Sequence, residues 1–204
     1  MRLTRLQTIL WTLVAVAALG AGGLALVERG RSSAGVGSTV SDDILRADFE
    51  LTDHTGMVQT DEDFRGRWML VFFGFANCPD VCPMGLATMA EALDALGDRA
   101  GGVRPLFVTV DPERDTPANL AEYAPRFHPS ILGLTGTPEQ IERTAKTFAI
   151  YRERIEDPAA PDGYTMGHTS SILLFDPEGA FVRIYEYDRS GAEIAADLAD
   201  RMES

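Results

Sequence analysis

The 204-residue chain has only two cysteines, three histidines and a single lysine, Lys146. So few thiols exclude a disulfide-stapled scaffold, and a four-thiolate zinc or iron–sulfur centre. Positive charge is also short: 18 basic side chains face 31 acidic ones, a formal net charge of −13. A chain this acidic lacks the basic surface that phosphate backbones require, so nucleic acid is excluded as a ligand. There is no internal repeat and no long low-complexity tract, and apolar content of 45% is ordinary for a globular protein. No cysteine lies near the N-terminal apolar run, which excludes anchoring as a lipoprotein.

That apolar run is the first feature present. Thr8 to Val27 carries no charge and is about the 20 residues a helix needs to cross a bilayer. Arg2 and Arg5 precede it; Arg29 and Arg31 follow. The expected organisation is a short cytoplasmic N-terminus (1–7), a transmembrane anchor or uncleaved signal (8–27), a flexible linker (28–41) and one folded domain (42–204). The arginines lean towards N-terminus inside, which puts the domain outside the cytoplasm. Setting aside residues 1–31, with four basic and one acidic side chain, leaves 14 basic against 30 acidic, a net −16. Such a body is not drawn to anionic lipid headgroups.

From Asp42 onward the pattern is α/β. Short strands around "DHTG" read as a hairpin. "WMLVFFGF", Trp68 to Phe75, is a continuous apolar run of the kind found in strands buried on both faces. "PMGLATMAEALDALG" has apolar residues at helical spacing and ends at Gly97. A second buried strand, "VRPLFVTV", leads into the turn "DPERDTP"; a helix, the short strand "ILGLTG" and another helix capped by Thr137 follow. "YRERIEDPAAPDGYTMGH" reads as a long acidic loop. "SSILLFDPEGAFVRIYEY" reads as a hairpin, and Ser190 to Met202 as a closing helix. A buried strand that runs into a cysteine pair at a helix start is the layout of a thioredoxin-like fold. The expected fold is therefore a central mixed β-sheet flanked by helices, with an N-terminal hairpin and one N-terminal transmembrane helix.

Both cysteines, Cys78 and Cys82, sit in "FFGFANCPDVCPMG". A C-x-x-x-C pair at a helix start has four readings: buried small hydrophobes, a structural disulfide, a metal site or a redox pair. The flanking "NCPDVCP" is loop rather than core, and so small a ring would be a weak staple. Metal or redox chemistry therefore leads. Helix N-terminal amides stabilise thiolates, so both sulfurs are expected to be acidic. Two thiolates do not fill a site. His54 and His128 read as surface residues, whereas His168 precedes a buried strand, where a thioredoxin-like fold faces the cysteine loop. Two sulfurs and one nitrogen suit Cu(I) and Cu(II).

Four blocks, in order, carry a resemblance: "FFGFANCPDVCP", "VTVDPERDTP", "LTGTPEQI" and "GHTSSILLFDPEG". Together they resemble the Sco/SenC family of membrane-anchored, thioredoxin-like copper proteins that help build the CuA centre of cytochrome c oxidase. The resemblance spans roughly residues 42–203 and includes the single N-terminal anchor. It implies that Cys78 and Cys82 are redox-active copper ligands and His168 the third ligand. It implies that Asp111 lies near the site, behind the ligands rather than among them. The family more commonly has a "GFTHCP"-like stretch where this chain has "GFANCP", with Ala76 and Asn77. Met166, two residues before His168, reads as loop packing.

The function implied is that of a copper metallochaperone rather than a classical enzyme. The alternative is a thiol–disulfide oxidoreductase that keeps the oxidase cysteines reduced. A thiol peroxidase is disfavoured, because the position three before Cys78 is Phe75 rather than a hydroxyl residue. A copper or redox sensor is a further alternative. The implied partners are apo cytochrome c oxidase subunit II at its CuA site, a periplasmic copper donor or thiol reductant, and the membrane through the anchor. The implied location is the inner (plasma) membrane, single pass, with the domain on the periplasmic side.

Overall fold

The computed structural model describes residues 45–203. The anchor expected over 8–27 and the linker over 28–41 lie outside them. Among the described residues no helix is long and apolar enough to cross a membrane.

Among the described residues, nine strands and four α-helices follow one another. β1 (Glu50–Asp53) and β2 (Val58–Thr60) form the expected hairpin. β3 (Trp68–Gly74) leads into α1 (Val81–Leu96), then β4 (Val103–Thr109), α2 (Pro117–Tyr123), β5 (Leu132–Thr135) and α3 (Pro138–Thr147). A second hairpin, β6 (Arg152–Glu156) and β7 (Tyr164–His168), precedes β8 (Ile172–Phe175), β9 (Phe181–Tyr185) and α4 (Gly191–Met202). Seven strands make one mixed sheet in the order β2-β1-β5-β4-β3-β8-β9, while β6 and β7 form a separate two-stranded sheet.

The continuous apolar run is explained by position. β3 lies between β4, parallel to it, and β8, antiparallel, and everything from Met69 to Gly74 is buried. α1 packs its Leu86, Met89, Leu93 and Leu96 face inward. Its approach to the sheet is close. A Cβ on Gly85 would lie 2.7 Å from the Phe72 ring, and one on Gly74 would lie 2.9 Å from Cys82 Sγ. Glycine at these two positions lets the helix and its cysteine sit directly on β3. α3 starts as the sequence requires, with Thr137 accepting from Gln140 N at 3.2 Å and Pro138 in the first turn.

Two expectations need correction. The helix expected from Pro83 begins at Val81, which puts Cys82 inside its first turn. Pro83 does not delay it, because first-turn amides have no intrahelical acceptor and proline loses nothing there. The stretch 151–168, expected as a loop, is a hairpin with Arg152 opposite His168 and Glu156 opposite Tyr164. β6, "RERIE", is exposed along most of its length and shows no apolar alternation. The alternation is in β7, where Tyr164 and Met166 turn inward and Thr165 and Gly167 are only half-buried.

Candidate metal centre

Cys78 lies in the loop after β3, Cys82 in the first turn of α1 and His168 at the end of β7. The sheet register explains why residues ninety positions apart meet. Phe72 of β3 pairs with Ile172 of β8, antiparallel. The chain leaving β3 and the chain entering β8 are therefore at the same end of the sheet. Cys78 and His168 sit a few residues beyond those paired ends.

The Cys78 and Cys82 sulfurs and a His168 ring nitrogen lie within 4.8 Å of one another. Cys82 Sγ is 3.4 Å from His168 Nε2, and the Cys82 backbone N–H donates to Cys78 Sγ at 3.4 Å. His168 Nδ1 is 2.8 Å from the Thr169 carbonyl oxygen. A carbonyl only accepts, so Nδ1 carries the hydrogen, and in the neutral ring the free lone pair is on Nε2, facing the sulfurs. The rings of Phe75 and Phe72 meet the imidazole edgewise, at 5.8 and 6.5 Å between centroids. Cys82 is fully buried and Cys78 is 8% exposed; both thiols are free.

Electrostatics separates the two thiols. A hydrogen bond from the Cys82 thiol, aided by the amides of Asp80 and Cys82, brings Cys78 down to about 4 against the opposing effect of burial. Cys82 moves upward, first because it keeps its proton to donate in a hydrogen bond to Cys78 and then because it is buried. The expectation that both sulfurs would be acidic is thus half right. A buried pair this close holds one negative charge readily and resists a second.

Asp111 is buried, but its carboxylate serves Arg114 through an ion pair and the Tyr164 hydroxyl at 3.0 Å. Among the described residues, the group of metal-ligating side chains is Cys78, Cys82 and His168, without Asp111. Met166 is buried in the core. His54 accepts the Gly133 amide at 3.0 Å, and His128 bonds to Ser130 through Nδ1 at 2.6 Å, so both have local structural partners. Sequence reasoning missed Asp115. This carboxylate, 1% exposed, accepts the Ala76 N–H at 3.0 Å and the Thr109 hydroxyl at 2.6 Å, and so pins the start of the cysteine loop to β4. Burial, reinforced by Asp111, raises it to about 6. The available signal was its place four residues after Asp111 in a turn that a buried strand enters.

The donor set fits copper. Two sulfurs and an imidazole are soft to borderline donors, unsuited to Mg²⁺ or Ca²⁺, and three ligands fall short of a closed structural zinc site. Comparison with known proteins agrees. The sequence profile of the SCO1/SenC family matches residues 38–203. The chain is 38% identical over 199 residues to the mitochondrial SCO2 homologue of Bos taurus, covering 95% of this chain and 74% of that protein. It is 37% identical to the mitochondrial SCO1 homologue of Homo sapiens, covering 78% of this chain and 53% of that protein. Among solved structures, copper-bound ScoI of Bradyrhizobium japonicum superposes with a TM-score of 0.70 at 40% identity, over 76% of this chain and 98% of that one.

Proposed function

The chain belongs to the SCO1/SenC family, and from that premise we propose that it carries copper between Cys78, Cys82 and His168 and delivers it to the CuA site of cytochrome c oxidase subunit II. The observation that carries this reading is the convergence of two sulfurs and a lone-pair-bearing Nε2 within 4.8 Å. Exposure gives the site a direction. Cys82 is sealed against β3, whereas Cys78 and His168 are the members solvent can reach. An accepting protein would meet those two first and exchange its own thiolate and imidazole for them. Cys82 would be the last ligand to let go.

The same reading places residues 8–27 in the inner membrane, 28–41 as a linker and the acidic domain on the periplasmic side. The charge-free run and its arginine flanks support this. Extraction of the full chain from membranes by alkaline carbonate would refute the anchor.

One observation favours a second role for the same pair. With Cys78 ionised at neutral pH and Cys82 holding its proton, the pair is poised for thiol–disulfide exchange. Cys78 thiolate would attack a sulfur of a partner disulfide, releasing one partner thiolate and forming a mixed disulfide. Cys82, losing its proton, would then attack Cys78, releasing the second partner thiol and closing the Cys78–Cys82 disulfide. Two electrons pass from this pair to the partner, and His168 is not needed. His168→Ala is therefore the separating experiment. It is expected to lower copper affinity more than ~10-fold in chelator competition while leaving the dithiol reduction potential in place. Unchanged copper affinity would overturn the three-ligand site.

A further inference from the structure

We infer that Arg114 is a positioning residue for the metal site: it seats the hairpin that carries His168 against the loop that carries Cys78. The inference rests on the copper reading but is argued from different contacts.

β6 and β7 pair with each other and stand apart from the seven-stranded sheet. The ladder that fixes β3 against β8 therefore does not fix His168. Contacts with the chain leaving β4 and with the turn after it do that. On one side of the hairpin, Arg152, the residue paired with His168, donates to the Val110 carbonyl at 2.9 and 3.2 Å. On the other side is Arg114, whose side chain is only 11% exposed. It donates to the Tyr164 carbonyl at 3.2 Å and to the Asp111 carboxylate. Its guanidinium carbon lies 3.8 Å from the Tyr164 ring centroid, and Arg154 covers the same ring at 3.6 Å. Tyr164 is thus held between two cations, with its hydroxyl on Asp111.

Arg114 also faces the cysteine loop. Its guanidinium carbon is 5.8 Å from the Phe75 ring centroid, and the Phe75 ring meets His168 edgewise. One side chain therefore touches the first residue of the strand that ends in His168 and the aromatic ring that packs on the imidazole. Its neighbour Asp115 ties down the loop on the cysteine side through Ala76 N–H. The turn 111–115 holds both halves of the site, and Arg114 is its link to the histidine half. A planar guanidinium suits this role because it stacks on rings by its faces while donating in its plane.

The test uses the full chain and its three histidines. With selective histidine labelling, the His168 ring signals of the copper-free protein report its packing against Phe72 and Phe75. In Arg114→Ala, and in the volume-filling Arg114→Met, those signals are expected to move towards free-imidazole positions while His54 and His128 stay in place. Arg114→Lys, which keeps the charge, is expected to restore part of the shift. In parallel, Arg114→Ala should weaken copper binding by about 10–100-fold in the parent chain and have no further effect in His168→Ala. Unmoved His168 signals would overturn the proposal, and so would an equal loss of copper affinity in both backgrounds. Absence of copper binding by the parent chain would instead overturn the copper reading, and the histidine signals would still decide the role of Arg114.

Discussion

Cys82→Ser is expected to lower copper affinity by more than ~100-fold, beyond the loss typical of residues that merely support a ligand. Cys82 is the middle of the site. Its sulfur faces His168 Nε2, and its backbone N–H holds Cys78 Sγ. A serine oxygen would keep the backbone bond and almost the same volume, so the helix start and the contact with Gly74 should survive. What is lost is the soft, polarisable donor, because a hydroxyl stays protonated and is a poor ligand for Cu(I). Cys78→Ser should lose at least as much, since it removes the sulfur that is ionised at neutral pH. Competition against a chelator of known affinity, with copper stoichiometry on the same samples, measures both. One-to-one binding at parental affinity in Cys82→Ser would show that the metal sits elsewhere.

Much of this site could be read in the sequence, for identifiable reasons. The strand β3 is buried on both faces, so it appears as an uninterrupted apolar run, and a cysteine pair directly after it marks a strand-to-helix junction. His168 could be found because a second buried strand follows it. The positioning machinery left a weaker trace. β6 puts Arg, Glu, Arg, Ile and Glu into a largely exposed strand, so strand periodicity is missing where the chain pairs only with β7. Tyr164 and Met166 did alternate inward, a signal two residues long and easily taken for loop packing. Arg114 and Asp115 belong to a turn rich in charge and proline, a composition that ordinarily marks a solvated connection. Their burial comes from elements fifty residues downstream and from the preceding β-strand, and local composition cannot report either. The opposite shifts of the two thiols were also hidden. A helix N-terminus acts on both sulfurs alike, whereas the contact between them divides one proton unequally.

That division leads to the second large effect. The reduced pair is expected to ionise in two widely separated steps, the first near pH 4 and the second above the ordinary thiol value of 9. Ultraviolet thiolate absorbance should therefore show one thiolate per chain across the neutral range, and Cys78→Ser should remove the acidic step. Stability follows by linkage. Cys78 is more acidic folded than unfolded, so its contribution is full above 9, declines as the pH falls towards 4, and is gone below it. Cys82 is less acidic folded, so its contribution is present below 9 and lost as the pH rises further. Asp115, raised to about 6 by burial, opposes Cys78 at the acid end, because its contribution fades as the pH rises through 6. Subtracting the Cys78→Ser denaturation curve from the parental one, both under reducing conditions, cancels Asp115. The difference should grow from pH 4 upward. A difference that is flat between 4 and 9 would refute the unequal pair. Metal uptake gives an independent check. With Cys78 already ionised, copper binding at neutral pH should release about one proton, from Cys82, rather than two. Two protons released per copper would mean that neither thiol is ionised before the metal arrives.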